Sequence, residues 1–235
     1  MRKLARRIGK IVGFVLGAAV AVFVVVQAWF LFHIAYWNHV DPRQTSFMER
    51  RLEELRRRNP KAQLDQRWVD YRRISTHLKR AVIAAEDAKF IDHEGFDWQG
   101  IQRALERNQK RGKVVAGGST ISQQLAKNLF LSGERSVIRK GQEALITIML
   151  EALMEKRRIL EIYLNVAEWG EGIFGAEAAA RHYYGASAAG LSAEQAARLA
   201  AMLPRPRYYD RNRSTPYLER YTDRILARMP SAQVP

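Results

Sequence analysis

Between Ile11 and Phe32 the chain is apolar at every position except Gln27, a run about long enough to cross a hydrocarbon core. It reads as one transmembrane helix over residues 11–32. The small residues of "GAAVA" also raise a cleaved secretory signal, but a signal's apolar region is usually only about 7–15 residues. The run is therefore taken as an uncleaved anchor. Arg2, Lys3, Arg6, Arg7 and Lys10 precede it with no acidic residue, so residues 1–10 are expected in the cytoplasm and everything after about residue 35 outside. Trp29, Tyr36 and Trp37 suit an aromatic belt at the exit.

From Asp41 to about Arg73 the pattern turns polar and charged, and "ERRLEELRRRNP" reads as a short helix closed by Pro60. Residues 33–73 are assigned to a juxtamembrane neck and 74–235 to the body. No segment of the body alternates convincingly between apolar and polar residues, and no repeat or low-complexity tract is evident, so the fold is predicted to be mainly α. Asp97 caps a helix carrying Ile101, Ala104 and Leu105 on one face, with Gly112 beyond its end. Thr120 with Gln123, and Ser192 with Gln195, form capping-box patterns, the second with Leu191 as staple and Pro204 as terminator. Residues 136–164 read as one long helix or two joined near Lys156, with "ALITIMLEALM" apolar enough for core.

The formal charge of +15 belongs only in part to the N-terminal tail, so the exported part is itself basic. Such a domain is drawn to anionic headgroups or phosphate-bearing substrates; facing away from the cytoplasm, it is not expected to bind nucleic acid. The absence of cysteine excludes disulfides and thiol chemistry and leaves the compartment open.

Three stretches carry candidate chemistry. In "AVIAAEDAKF" a continuing helix would put Glu86, Phe90 and His93 on one face, where apolar neighbours raise a carboxyl pKa towards general acid or base use. Alone, that stretch reads more simply as a solvated acidic helix end. In "GGSTISQQLAKN" two glycines allow close backbone approach, and a polar stripe of Thr120, Gln123, Gln124 and Lys127 faces away from Ile121 and Leu125. In "RSVIRKGQEAL" Arg139 and Glu143 sit at i, i+4, an ordinary surface ion pair by itself, but Arg135 and Lys140 add cations that one glutamate does not match. That excess reads as a phosphate clamp oriented by Glu143. "GEGIFG" has dinucleotide-loop spacing but follows a helical pattern, so it is set aside. His93 and His182 are isolated, and no zinc site is expected.

Together "EDAKFIDHEGFD", "GGSTISQQLAKN", "RKGQE", "KRRILEIYLN" and "GIFGAEAAARHYYG" resemble, in order and spacing over about residues 75–230, the peptidoglycan glycosyltransferase family, which polymerises lipid II into glycan strands. With one N-terminal anchor and no Ser-x-x-Lys sequence, the resemblance is to its monofunctional members, and transpeptidase chemistry is not expected. Ser122 stands where the family more often has threonine and keeps the hydroxyl.

The resemblance implies a lysozyme-like fold of two helical lobes, the smaller dipping into the membrane. It implies Glu86 as general base and Glu143 as second glutamate of the cleft, and it places Lys127, Arg139 and Lys140 on the donor's diphosphate and sugar. Ser119, Gln123 and Gln124 would line the cleft, with Arg135 and Asn165 as further contacts. No cofactor is obligatory, Mg2+ or Mn2+ on the diphosphate being optional. The implied partners are lipid II, the growing polyprenyl-diphosphate-linked glycan, the bilayer and other cell-wall synthesis proteins, at the cell inner membrane with the catalytic domain in the periplasm. Two rivals stand beside this reading: a lytic lysozyme-like glycosidase acting on finished glycan, and a non-catalytic membrane-anchored scaffold.

Overall fold

The computed structural model describes residues 2–113, 117–131, 133 and 136–235. Helix α1 (Arg2–Trp37) includes an apolar span, Gly9–Trp37, long enough to cross a membrane. At 1.5 Å per residue its 29 residues exceed a hydrocarbon core of about 30 Å. The excess at the C-terminal end is not left to lipid, because Phe30 and Ile34 are buried against the body. The Phe130 ring meets those of Phe30 at 5.1 Å and Trp37 at 5.0 Å.

Helix α2 (Ser46–Arg58) starts at Thr45, whose hydroxyl accepts from the Met48 amide, and it buries Met48 and Arg51. Strand β1 (Asp65–Gln66) and a 3-10 turn at Tyr71–Arg73 follow, with Val69 and Tyr71 buried. Residues 45–73, read from sequence as part of a neck, thus contribute to the body's core. The charge of α2 hid this, because its buried face is narrow and includes an arginine.

Helix α3 (Thr76–Glu86) is followed by α4 (Trp98–Arg111), α5 (Ile121–Phe130), α6 (Val137–Leu153) and α7 (Lys156–Val166). Strands β2 (Glu168–Gly170) and β3 (Ile173–Phe174) come next, then α8 (Ala176–Tyr184), α9 (Ala193–Met202), α10 (Pro206–Arg211) and α11 (Pro216–Arg228). Every residue of α7 from Ile159 to Val166 is buried except Glu161, which marks it as the central helix. α3, α9 and α11 pack as one group; α5 and α6, with α1 alongside, form the other, and α5 also meets α7. The expected caps at Asp97, Thr120 and Ser192 are all made, and Gly112 ends α4 in the left-handed conformation.

Four details differ from the sequence reading. α3 ends at Glu86, so Phe90 and His93 lie in the following turns rather than on its face. On α4 only Ala104 is buried, while Leu105 faces outward. α6 is amphipathic rather than wholly core: Ile146, Thr147 and Leu150 are buried, whereas Val137, Ile138 and Ile148 stand exposed. "GEGIFG" belongs to a strand pair after all: Gly170 ends β2, Glu171 and Gly172 make the turn, and Ile173 and Phe174 form β3. Its sheet has order β1-β3-β2, with β1 parallel and β2 antiparallel to β3, so these three short strands form no dinucleotide-binding βαβ unit.

Gly175 enters α8 at φ 86°, and a Cβ there would lie 2.8 Å from the Asn165 carbonyl oxygen. Gly175→Ala is expected to lower stability by about 1–3 kcal/mol, read as a lower midpoint in urea with unchanged slope.

Candidate active site

The site forms where the end of α3 meets the start of α5. Asp87, capping α3 by its amide, turns its buried carboxylate the other way. Oδ2 accepts from the Ile121 amide at 3.0 Å, using one of the free donors at the N-terminus of α5. Oδ1 lies 2.9 Å from His93 Nε2, while His93 Nδ1 accepts from the Gly95 amide at 3.1 Å, so Nε2 carries the proton and donates to Asp87. Thr120 completes the joint by donating to the Gly95 carbonyl at 2.7 Å. Asp87 and His93 are therefore supports, and Glu86 is left to face the other way.

Glu86 Oε2 accepts from Gln124 Nε2 at 2.7 Å, and Tyr163 Oη donates to Gln124 Oε1 at 3.1 Å, which fixes the amide's orientation. Oε1 of Glu86 takes no hydrogen bond from the described residues. Crowding by surrounding atoms pushes the Glu86 pKa up from 4.5; the Gln124 hydrogen bond and the Lys127 charge pull it back, and Asp87 adds a smaller upward push. Tyr221 donates to the Ala85 carbonyl at 3.2 Å, and burial together with the Glu86 charge raises its pKa to about 12.

Gln124 and Lys127 lie on successive turns of α5 and, with Phe47, wall two adjoining hollows. The smaller, about 350 Å3, is also lined by Ser119, Gln123, Arg139, Lys140 and Glu143. There the buried Glu143 binds Arg139 Nη1 through Oε2 at 2.7 Å and Lys140 Nζ through Oε1. Arg139 Nε is buried without an acceptor among the described residues, and Lys127 Nζ forms no hydrogen bond with them. Burial pushes the Lys127 pKa down from 10.5; Glu143 and Glu86 push it up, Arg139 and Lys140 down. Donors thus exceed acceptors around this hollow, as an anionic ligand requires.

The second hollow, about 700 Å3, runs from Gln124 and Lys127 past Glu168 to Arg205, Arg207 and Tyr208. Its wall holds a buried ion pair, Arg51 with Glu168, at 2.8 Å and 3.0 Å. This half was not anticipated, although the arginines of "PRPRYY" were its available signal.

Of the residues proposed from sequence, Glu86, Ser119, Gln123, Gln124, Lys127, Arg139, Lys140 and Glu143 come together here. Gln123 is partly committed, since its side chain accepts from the Thr120 amide to close the capping box. Asn165 is fully buried and spends its amide on the Val69 backbone and the Glu161 carbonyl, and it lines neither hollow. It stitches residues 65–70 to α7 instead. Arg135 lies outside the described residues. Ser122 points behind α5, bonded to Glu151, which Lys156 also holds at 2.8 Å.

No group of three or more metal-ligating side chains occurs among the described residues. The clamp does not fit a protein-held divalent ion either, because the oxygens of Glu143 are already engaged by two cations.

A transglycosylase family profile matches residues 51–230. The chain is 65% identical over 216 residues to a biosynthetic peptidoglycan transglycosylase of Dechloromonas aromatica, covering 92% of this chain and 94% of the relative. It is 62% identical to proteins of the same name from Nitrosospira multiformis and a Janthinobacterium species, with the same coverage. The chain belongs to the transglycosylase family, and its fold is the lysozyme-like helical one.

In the role of general base that the sequence resemblance implies, Glu86 acts only when deprotonated, so turnover is expected to fall as pH drops through its raised pKa. Gln124→Met removes a hydrogen bond that favours the carboxylate and should move the acid limb of the pH profile of kcat/KM to higher pH. An unmoved limb would contradict this role for Gln124.

Proposed function

We propose that this peptidoglycan glycosyltransferase polymerises lipid II into β-1,4 glycan strands with inversion at the anomeric carbon, releasing polyprenyl diphosphate. The observation that carries the reading is a crowded carboxylate, Glu86, beside a hollow whose cations outnumber its carboxylates. The growing strand, linked through its reducing-end sugar to the diphosphate, is the donor; the 4-hydroxyl of lipid II is the acceptor. The hydroxyl oxygen attacks the anomeric carbon from the face opposite the diphosphate, and its proton passes to Glu86, whose Oε1 is free to receive it. The bond from the anomeric carbon to the phosphate oxygen breaks, and its electron pair leaves with the diphosphate. Lys127, Arg139 and Lys140 take up that charge, with Glu143 holding the last two in place.

The lytic alternative uses no diphosphate and leaves this cation set without a purpose. α1 is assigned as the anchor in the inner membrane, with residues 1–10 cytoplasmic and the body periplasmic, and residues 45–235 as one catalytic domain. Tethering raises the concentration of enzyme relative to two substrates that share its bilayer.

Glu86→Gln should lower polymerisation of labelled lipid II by about 10²–10⁴-fold, the usual contribution of a general base, while leaving lipid II binding near wild type. Near wild-type polymerisation by this variant, or soluble fragments released by the unmodified chain from finished peptidoglycan, would overturn the assignment.

A further inference from the structure

Gln27 is the only polar side chain between Ile11 and Phe32, and it meets a partner. Its amide donates to Gln142 Oε1 at 3.1 Å and accepts from Gln142 Nε2 at 2.9 Å, a reciprocal pair. Eleven residues further along the chain from each, Asn38, just past the end of α1, donates its Nδ2 to the Leu153 carbonyl at 3.1 Å. Both contacts join residues 115 apart in sequence, so α1 and α6 run parallel in one register, with Phe30, Ile34 and Ile146 buried between the two ties.

The same face of α6 leads to the cation clamp. Gln142 adjoins Glu143, which grips Arg139 and Lys140 one turn earlier. Carried along the parallel register, Arg139 and Lys140 stand level with Val24 and Val25, about 3–4.5 Å along the axis from Gln27. An amide in apolar surroundings is costly to leave unpaired, so the glutamine pair resists sliding of one helix along the other.

We propose that Gln27 is a positioning residue: through Gln142 it sets the depth of the Arg139–Lys140–Glu143 clamp relative to the membrane span, and so the level at which the clamp meets the diphosphate of a lipid-linked donor. The anchor then aligns the site as well as tethering it. This rests on the glycosyl transfer proposed above.

The test uses the full chain in phospholipid vesicles containing labelled lipid II. Gln27→Leu makes the span more apolar and so preserves insertion. Gln27→Leu and Gln142→Leu should each lower kcat about threefold to tenfold, the range of one hydrogen bond between membrane helices, with the vesicle-bound fraction unchanged and the melting temperature still well above the assay temperature, so that unfolding does not account for the loss. The double variant should be no slower than either single one, because the pair acts as a unit. The protein has no cysteine, so Gln27→Cys with Gln142→Cys offers one site for a short bifunctional thiol crosslinker. Crosslinking should restore kcat, measured well below the melting temperature of the uncrosslinked variant, to within about twofold of wild type, as restored helix register requires. Wild-type kcat in the single variants, additive losses, or no crosslinking or no recovery on crosslinking would overturn the inference. Failure of the unmodified chain to polymerise lipid II would instead overturn the proposed function.

Discussion

The carboxylate of Asp87 ties the helix that ends in Glu86 to the helix that begins at Ile121. One oxygen satisfies a backbone donor at the N-terminus of α5 and the other takes the His93 proton, so neither is available to solvent or substrate. With that joint closed, Gln124 falls within 2.7 Å of Glu86, and Lys127, a turn further, opens onto the clamp on α6. Remove the joint and the Glu86 carboxylate and the cations belong to separate elements with no fixed relation.

The arrangement works against stability where it serves chemistry. A carboxyl whose folded pKa is raised binds its proton more tightly folded than unfolded. Its contribution is therefore favourable at low pH and is lost as pH rises through the raised folded pKa, above which the proposed base would act. Lys127 faces the mirror problem, since burial opposes its charge while Glu143 and Glu86 sustain it. Glu86 is held charged first by the Gln124 hydrogen bond and then by Lys127, and Lys127 first by Glu143 and then by Glu86, so α3, α5 and α6 are linked electrostatically. The central buried helix α7 supplies the backing, with Tyr163 orienting Gln124 and so the Glu86 carboxylate.

Much of this was legible in the chain because it is written in local chemistry. Cap residues at Asp97, Thr120 and Ser192 act within three residues of themselves, and the apolar run of α1 needs no partner to be recognised. What escaped was long-range. Nothing local to α2 says that Arg51 is buried against Glu168, 117 residues away, so a charged helix looked like a neck. Three strands of two or three residues are too short to show a period of two. Glu86 and Glu143 were readable as candidates, but the hydrogen bond through which Gln124 and Tyr163 control Glu86 spans 38 and 39 residues. Asn165 shows the reverse error: its place in a motif suggested the cleft, and its three backbone contacts show a structural stitch.

The central claim is that Glu86 is a carboxylate held above its ordinary pKa and restrained by Lys127. Carbon-13 NMR of side-chain-labelled glutamate, titrated in the full chain with Glu86→Gln used to assign the resonance, measures it without reference to turnover. Glu86 is expected to titrate above the ordinary 4.5 and to rise further in Lys127→Met, because the removed cation favours the charged form. A Glu86 that titrates at or below 4.5, or one indifferent to Lys127, would contradict it.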